Sequence, residues 1–310
     1  MRRVTLLGPL GDGVDLAREV EALGVDGPVA LITAGWEEGE RNDAEIDRRL
    51  GGGSRNLGLY GRRLDVLGGD EEYAAAERLL RTQLDELRQV YLTRLRHALD
   101  GVEAIRRRFA EVGRPLDAEL DAPIAAVRAL DDAHVAAIKE AYDRFYVAHP
   151  PHDRSLINEH RSEVASIVSG CAAIAIAGGH VGVLNDCLHL CNLAALIDAQ
   201  PLIAWSSGCM AISERIVVVD DDDPAGRPDE IFDIGIGVAR GLVALPAAAA
   251  RLRAHDPDRL ALLARRFAPS VCVLLDVGDR LELNAGRPAE LDAVGVIAPD
   301  GRLLRGAEAA

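Results

Sequence analysis

The sequence predicts an α/β protein, an open, doubly wound, largely parallel sheet that carries a long helical insertion. Three observations lead there. Short apolar runs of strand length recur along the chain and alternate with helices or turns. Between two groups of these runs, one stretch keeps apolar residues three or four apart over eight turns or so, which is the signature of a long amphipathic helix. Finally, 310 residues with 49% hydrophobic content are enough for one large core, so a single domain over 1–310 is expected, with the insertion at 70–168 inside it.

The first strands are expected at Val4-Leu7 and Val29-Thr33, the second entered from Gly27-Pro28 and left through Ala34-Gly35-Trp36. After Gly51-Gly52-Gly53 and the turn Gly68-Gly69-Asp70 the pattern becomes helical. Leu80, Leu84, Leu87, Tyr91, Leu95, Ala98, Val102, Ile105 and Phe109 share one helix face, and Gly113-Arg114-Pro115 ends the run. Helical spacing resumes through Ile124, Val127, Leu130, Val135, Ile138, Tyr142 and Phe145 until His149-Pro150-Pro151, then through Leu156, Val164 and Ile167. Strand signals return at Ala172-Ala177, Pro201-Trp205, Ile216-Val219, Gly241-Leu245, Val271-Leu275, Arg280-Leu283 and Val294-Ile297, with an antiparallel hairpin expected near the C-terminal end.

Composition narrows the partners. A formal charge of −15 argues against a nucleic-acid groove or an anionic membrane as partner. The apolar run at Val4-Leu7 stops at Gly8-Pro9, too early for a signal-peptide core, and no stretch approaches a bilayer span, so a soluble, cytoplasmic protein is expected. Cys171, Cys187, Cys191, Cys209 and Cys272 are odd in number and sit in apolar surroundings, which reads as buried free thiols. In Cys187-Leu188-His189-Leu190-Cys191 the histidine points away from the thiol face, so no metal is expected there, and no cofactor motif occurs.

The sharpest local signal is Pro201-Leu202-Ile203-Ala204-Trp205-Ser206-Ser207-Gly208-Cys209. An apolar strand runs into a serine with small residues two before and two after it, the pattern of a sharp strand-to-helix turn that exposes the hydroxyl. The helix that follows would aim its first amides at a developing oxyanion. The preceding strand ends in Ala177-Gly178-Gly179-His180, where two glycines can present backbone N–H groups. Parallel neighbours about 4.8 Å apart would bring the two ends into one crevice at the carboxyl edge of the sheet. A pair of ordinary tight turns would carry the same residues.

Ile32-Thr33-Ala34-Gly35-Trp36, Asn56-Leu57-Gly58-Leu59-Tyr60, Ala177-Gly178-Gly179-His180 and Ile203-Ala204-Trp205-Ser206-Ser207-Gly208 together resemble the peptidase E and cyanophycinase group of serine peptidases. That group lies within the class I glutamine-amidotransferase-like superfamily, whose sheet is flavodoxin-like. The resemblance implies a hydrolase of peptide or amide bonds with Ser206 as nucleophile and Gly178-Gly179 on the oxyanion side. It adds Ser207, Gly35 and Trp36 as candidate oxyanion or substrate-binding positions, and Asp221, in Asp220-Asp221-Asp222-Asp223, as the acid that would orient a histidine. A solvated acidic loop is the plainer reading of that block. Amidotransferases of the superfamily use a cysteine at the turn, whereas Cys209 lies three residues beyond it and is expected to be a packing residue whose thiol pKa the helix start could lower.

The chain departs from the pattern at one place. The resemblance implies a catalytic histidine just after Leu242-Val243-Ala244-Leu245-Pro246, where Ala247-Ala248-Ala249-Ala250 stands, and His255 is too far along to replace it. A serine hydroxyl is a poor nucleophile without a base. Three readings stay open: His180 serves as the base; hydrolysis is lost and the site keeps a peptide or amino-acid-like ligand; or the chain is a catalytically degenerate subunit that forms a homo- or hetero-oligomer through the helical insertion.

Overall fold

The computed structural model describes residues 3–112, 117–197, 200–221 and 226–306. The chain opens with β1 (Arg3–Leu7), α1 (Leu16–Ala22), β2 (Val29–Ile32), a 3-10 turn at Ala34–Gly39, α2 (Ala44–Arg49), β3 (Arg55–Asn56) and α3 (Leu59–Gly69). Three helices follow, α4 (Glu71–Val112), α5 (Asp117–Ala148) and α6 (Ser155–Ser169), then β4 (Ala173–Ile176), α7 (Val181–Leu190), α8 (Leu193–Leu196), β5 (Leu202–Trp205) and α9 (Ser207–Ala211). The remainder comprises β6 (Ile216–Val218), β7 (Glu230–Asp233), β8 (Leu242–Pro246), α10 (Ala248–Arg251), α11 (Pro257–Phe267), β9 (Val271–Leu275), β10 (Arg280–Asn284), β11 (Arg287–Pro288), β12 (Gly295–Ile297) and β13 (Leu303–Leu304).

The main sheet has seven strands in the order β11-β10-β1-β5-β4-β2-β3. From β1 to β3 every pairing is parallel, and β10 and β11 extend the sheet antiparallel beyond β1. The two-residue periodicity of strands sorts its side chains. Ala30, Ile32, Ile174, Ile176, Leu202 and Ala204 face the layer that includes α3, α6 and α7, while Val29, Leu31, Ala173, Ala175, Ile203 and Trp205 face α1 and α2. Both faces are covered, which is why these strands read as continuous apolar runs.

The expected single sheet is divided. Antiparallel β10 occupies the free edge of β1, so β8 and β9 pair with each other in parallel and build a second, four-stranded sheet, β13-β12-β9-β8. β6 and β7 form a separate antiparallel ribbon. The expected C-terminal hairpin is β10–β11, turning on Ala285 (φ 52°) and Gly286 (φ 80°), both left-handed as a two-residue hairpin requires.

α4 has 42 residues, about 63 Å at 1.5 Å per residue, and α5 folds back along it, with Tyr73 against Phe145 near one end and Val102 clustered with Leu120 near the other. The apolar stripe of α4 is consumed inside the chain: Leu80, Tyr91, Leu95 and Val102 are buried, and Leu84 and Leu87 pack beside them. That stripe is therefore not a free surface for a partner. α6 buries Val164 and Val168 in the core under the main sheet, so the insertion proper is the α4–α5 hairpin and α6 belongs to the sheet's helical layer. Gly113-Arg114-Pro115, the expected end of the long helix, lies outside the described residues.

Candidate active site

Ser206 sits where β5 meets α9, with φ 54° and ψ −132°. A residue with a Cβ holds that conformation only when its surroundings impose it, at a cost on the order of 1–3 kcal/mol. Here the Ser206 amide donates to the Leu7 carbonyl at 3.2 Å, and the Cys209 amide donates to the Ser206 carbonyl at 3.0 Å. The small neighbours have physical reasons. A Cβ at Gly208 would lie 2.7 Å from the Ile176 carbonyl oxygen, and one at Gly178 would lie 2.7 Å from the Ser206 Cβ and 3.0 Å from its Oγ. Gly208 is thus demanded by the carbonyl edge of β4 rather than by the chain doubling back on itself.

Because β4 and β5 are parallel neighbours, with Ile176 opposite Ala204, the Gly178-Gly179 turn does lie beside Ser206. Gly35 supports that turn from β2's side: its carbonyl accepts the His180 amide at 2.7 Å, and a Cβ on it would come 3.2 Å from the Gly178 oxygen. Trp36 packs half-buried against the cluster that contains Leu7, Ile203 and Trp205. Ser207 ties the two turns together, its Oγ accepting from the Gly179 amide at 2.8 Å and donating to the Gly179 carbonyl at 2.7 Å. The Gly179 N–H is therefore engaged, whereas the amides of Gly178 and Ser207, beside the serine, have no acceptor among the described residues. With five residues, α9 brings little macrodipole to the site.

The two expected partners of the serine are engaged elsewhere. His180 is the N-cap of α7, its Nδ1 accepting from the Val183 amide at 3.1 Å. The neutral ring then carries its proton on Nε2 and is a donor, not the base that would take a proton from Ser206. Among the described residues no side chain hydrogen-bonds the Ser206 hydroxyl. Asp221 is not solvated, and no histidine among the described residues bonds its carboxylate, which accepts from Arg259 Nη2 at 2.8 Å and from the Arg253 amide at 2.7 Å and so ties the end of β6 to α11. Asp222 and Asp223 lie outside the described residues. Ala247, where the resemblance implies a histidine, is left-handed at φ 56°, ψ 41°, and His255 is exposed.

Cys209 is fully buried, with its Sγ 3.3 Å from the Leu7 oxygen and 3.2 Å from that of Ala204. Burial pushes its thiol up to about 12, opposite to the lowering expected from a helix start. All five cysteines are free and buried, and burial pushes the Cys191 thiol up to about 11.

Sequence reasoning missed β7 and the cavity it helps to form. His180, Val181, Val218, Pro228 and Phe232 line a space of about 230 Å³, closed on one side by Arg88 of α4. The strand holds only two apolar residues between two acids, with Ile231 fully buried and Phe232 on the other face, too short a run to mark a strand in the sequence. Each acid is buried because a partner reaches it: Arg88 Nε donates to Glu230 at 2.7 Å, and Tyr142 Oη to Asp233 at 3.0 Å. No helix among the described residues is long and apolar enough to cross a membrane. Compared with known proteins, the chain matches no family model and is significantly similar to no curated protein.

Proposed function

We propose that the chain is a peptidase E-like serine hydrolase that reacts with a peptide or amide carbonyl through Ser206. The observation that carries this reading is the backbone of Ser206, held at φ 54° and ψ −132° at the carboxyl edge of a parallel sheet, where such strain serves to lift a hydroxyl toward substrate. In the step it supports, Ser206 Oγ attacks the carbonyl carbon and the new oxyanion accepts from the amides of Ser207 and Gly178. With His180 capping α7, the hydroxyl proton passes, directly or through a water, to the leaving nitrogen as the C–N bond breaks. A water then hydrolyses the Ser206 ester to release the acid, and slow turnover is expected.

A second reading has its own support. The unpartnered Ser206 hydroxyl and the alanine at position 247 fit a catalytically degenerate relative that binds a peptide or amino-acid-like ligand. Labelling with a fluorophosphonate, read by intact mass and peptide mapping with Ser206→Ala as control, separates the two. An adduct confined to Ser206 is expected for the hydrolase. Folded protein that takes up no label would leave the binding reading.

A further inference from the structure

We infer that the cavity beside the Ser206 turn is a subsite for a bulky apolar side chain on the residue next to the reacting carbonyl. Its chemistry rests on the hydrolase reading, its binding does not. The cavity lies close to the serine: His180 on its wall is two residues from Gly178, at most about 7.6 Å along the Cα path, and Gly178 abuts Ser206.

The lining decides the ligand class. Val181, Val218, Pro228 and Phe232 offer apolar surface, and about 230 Å³ holds seven or eight waters at about 30 Å³ each, the scale of an aromatic or large aliphatic side chain. Two of the charges around it pair with each other. Arg88 is bound to Glu230 and lies 5.0 Å above the centroid of the Phe232 ring. Asp220 and Arg227 each interact with another group. A charged side chain would lose its water here against the apolar wall, whereas an apolar one gains from burial. His180 supplies the polar contact: with Nδ1 on Val183, its Nε2–H is available to a backbone carbonyl of the same ligand. Arg88 belongs to α4, so the helical hairpin closes the wall of this subsite.

The test compares rates of Ser206 labelling by peptidyl diphenyl phosphonates carrying Phe, Leu, Ala, Asp or Lys at the residue whose carbonyl carbon the phosphorus replaces. Phe and Leu are expected to react on the order of 10-fold or more faster than the others. Val218→Phe, which fills the cavity, should reverse the order of Phe and Ala, and Val218→Asp should abolish the Phe preference, each variant being checked for folding by circular dichroism. A flat profile, or faster reaction with Asp or Lys, in protein that a simple fluorophosphonate does label overturns the subsite and leaves the hydrolase reading standing. If the simple fluorophosphonate does not label Ser206, that reading fails and the subsite is tested by NMR titration instead. N-acetyl-phenylalaninamide should then shift resonances around Val218 and Phe232 where N-acetyl-alaninamide and N-acetyl-aspartamide do not, and equal responses to all three would overturn it.

Discussion

Ser206 concentrates at one residue what the rest of the carboxyl edge arranges. Its amide is held by β1 and its carbonyl by the first turn of α9, while Gly178 presses close enough to exclude any side chain there. Since φ 54° is accessible to glycine without strain, Ser206→Gly is expected to be more stable than Ser206→Ala, by about 1 kcal/mol. Urea unfolding of the two variants checks this, and equal midpoints would mean the backbone is relaxed. Position and residue type made Ser206 legible from the small residues around it. The role of Asp221 was not legible, because an ion pair with α11 depends on which groups the fold brings within 3 Å or so.

At the scale of elements, the α4–α5 hairpin is fastened by a buried polar network rather than by apolar contact alone. Arg266 of α11 donates from Nε to one Asp131 oxygen and from Nη2 to the other, both at 2.7 Å, and from Nη1 to the Asp229 carbonyl at 2.8 Å. Tyr91 Oη donates to Asp131 at 2.7 Å and accepts from the Ile231 amide at 3.2 Å, while its ring stacks on His134 at 3.9 Å. Arg266 and Asp131 have side chains only 1% and 2% exposed, so removing one leaves an uncompensated buried charge. Asp131→Ala is expected to cost about 3–5 kcal/mol, and the paired Asp131→Leu, Arg266→Met replacement to recover much of that loss. Denaturant midpoints measure both, and a loss below about 1 kcal/mol for the single variant would show that water reaches the guanidinium. The heptad-like stripe of α4 announced this helix, yet Tyr91 appeared there only as an apolar position.

For the whole molecule, stability should depend on pH through Asp186 on α7, which faces Arg81 and Glu77 of α4, Arg63 of α3 and Asp233 of β7. Burial raises its carboxyl to about 6 despite the two arginines. The folded form thus holds this proton more tightly than the unfolded form, so the contribution to stability is complete below about 4 and is lost as pH rises to about 6. The loss is on the order of 3 kcal/mol, from about two pKa units at 1.36 kcal/mol each. Asp186→Asn should remove this dependence and gain on the wild type between pH 4 and 6. Parallel stability curves would refute the shift.

Taken alone, the sequence determined the α/β class, the strands at Val4-Leu7, Ala172-Ala177 and Pro201-Trp205, the long helix of α4, and the turn at Ser206. These follow from local periodicity and from steric demands on neighbouring residues, which a linear string records. Only the tertiary structure decided that β8 and β9 leave the main sheet, that Glu230 and Asp233 lie in a buried strand, and that Arg88 closes a cavity near the serine. In the first case a strand competing for one edge settles the matter. In the others it is a partner up to 142 residues away, which turns a charge that reads as surface into one that is buried and paired.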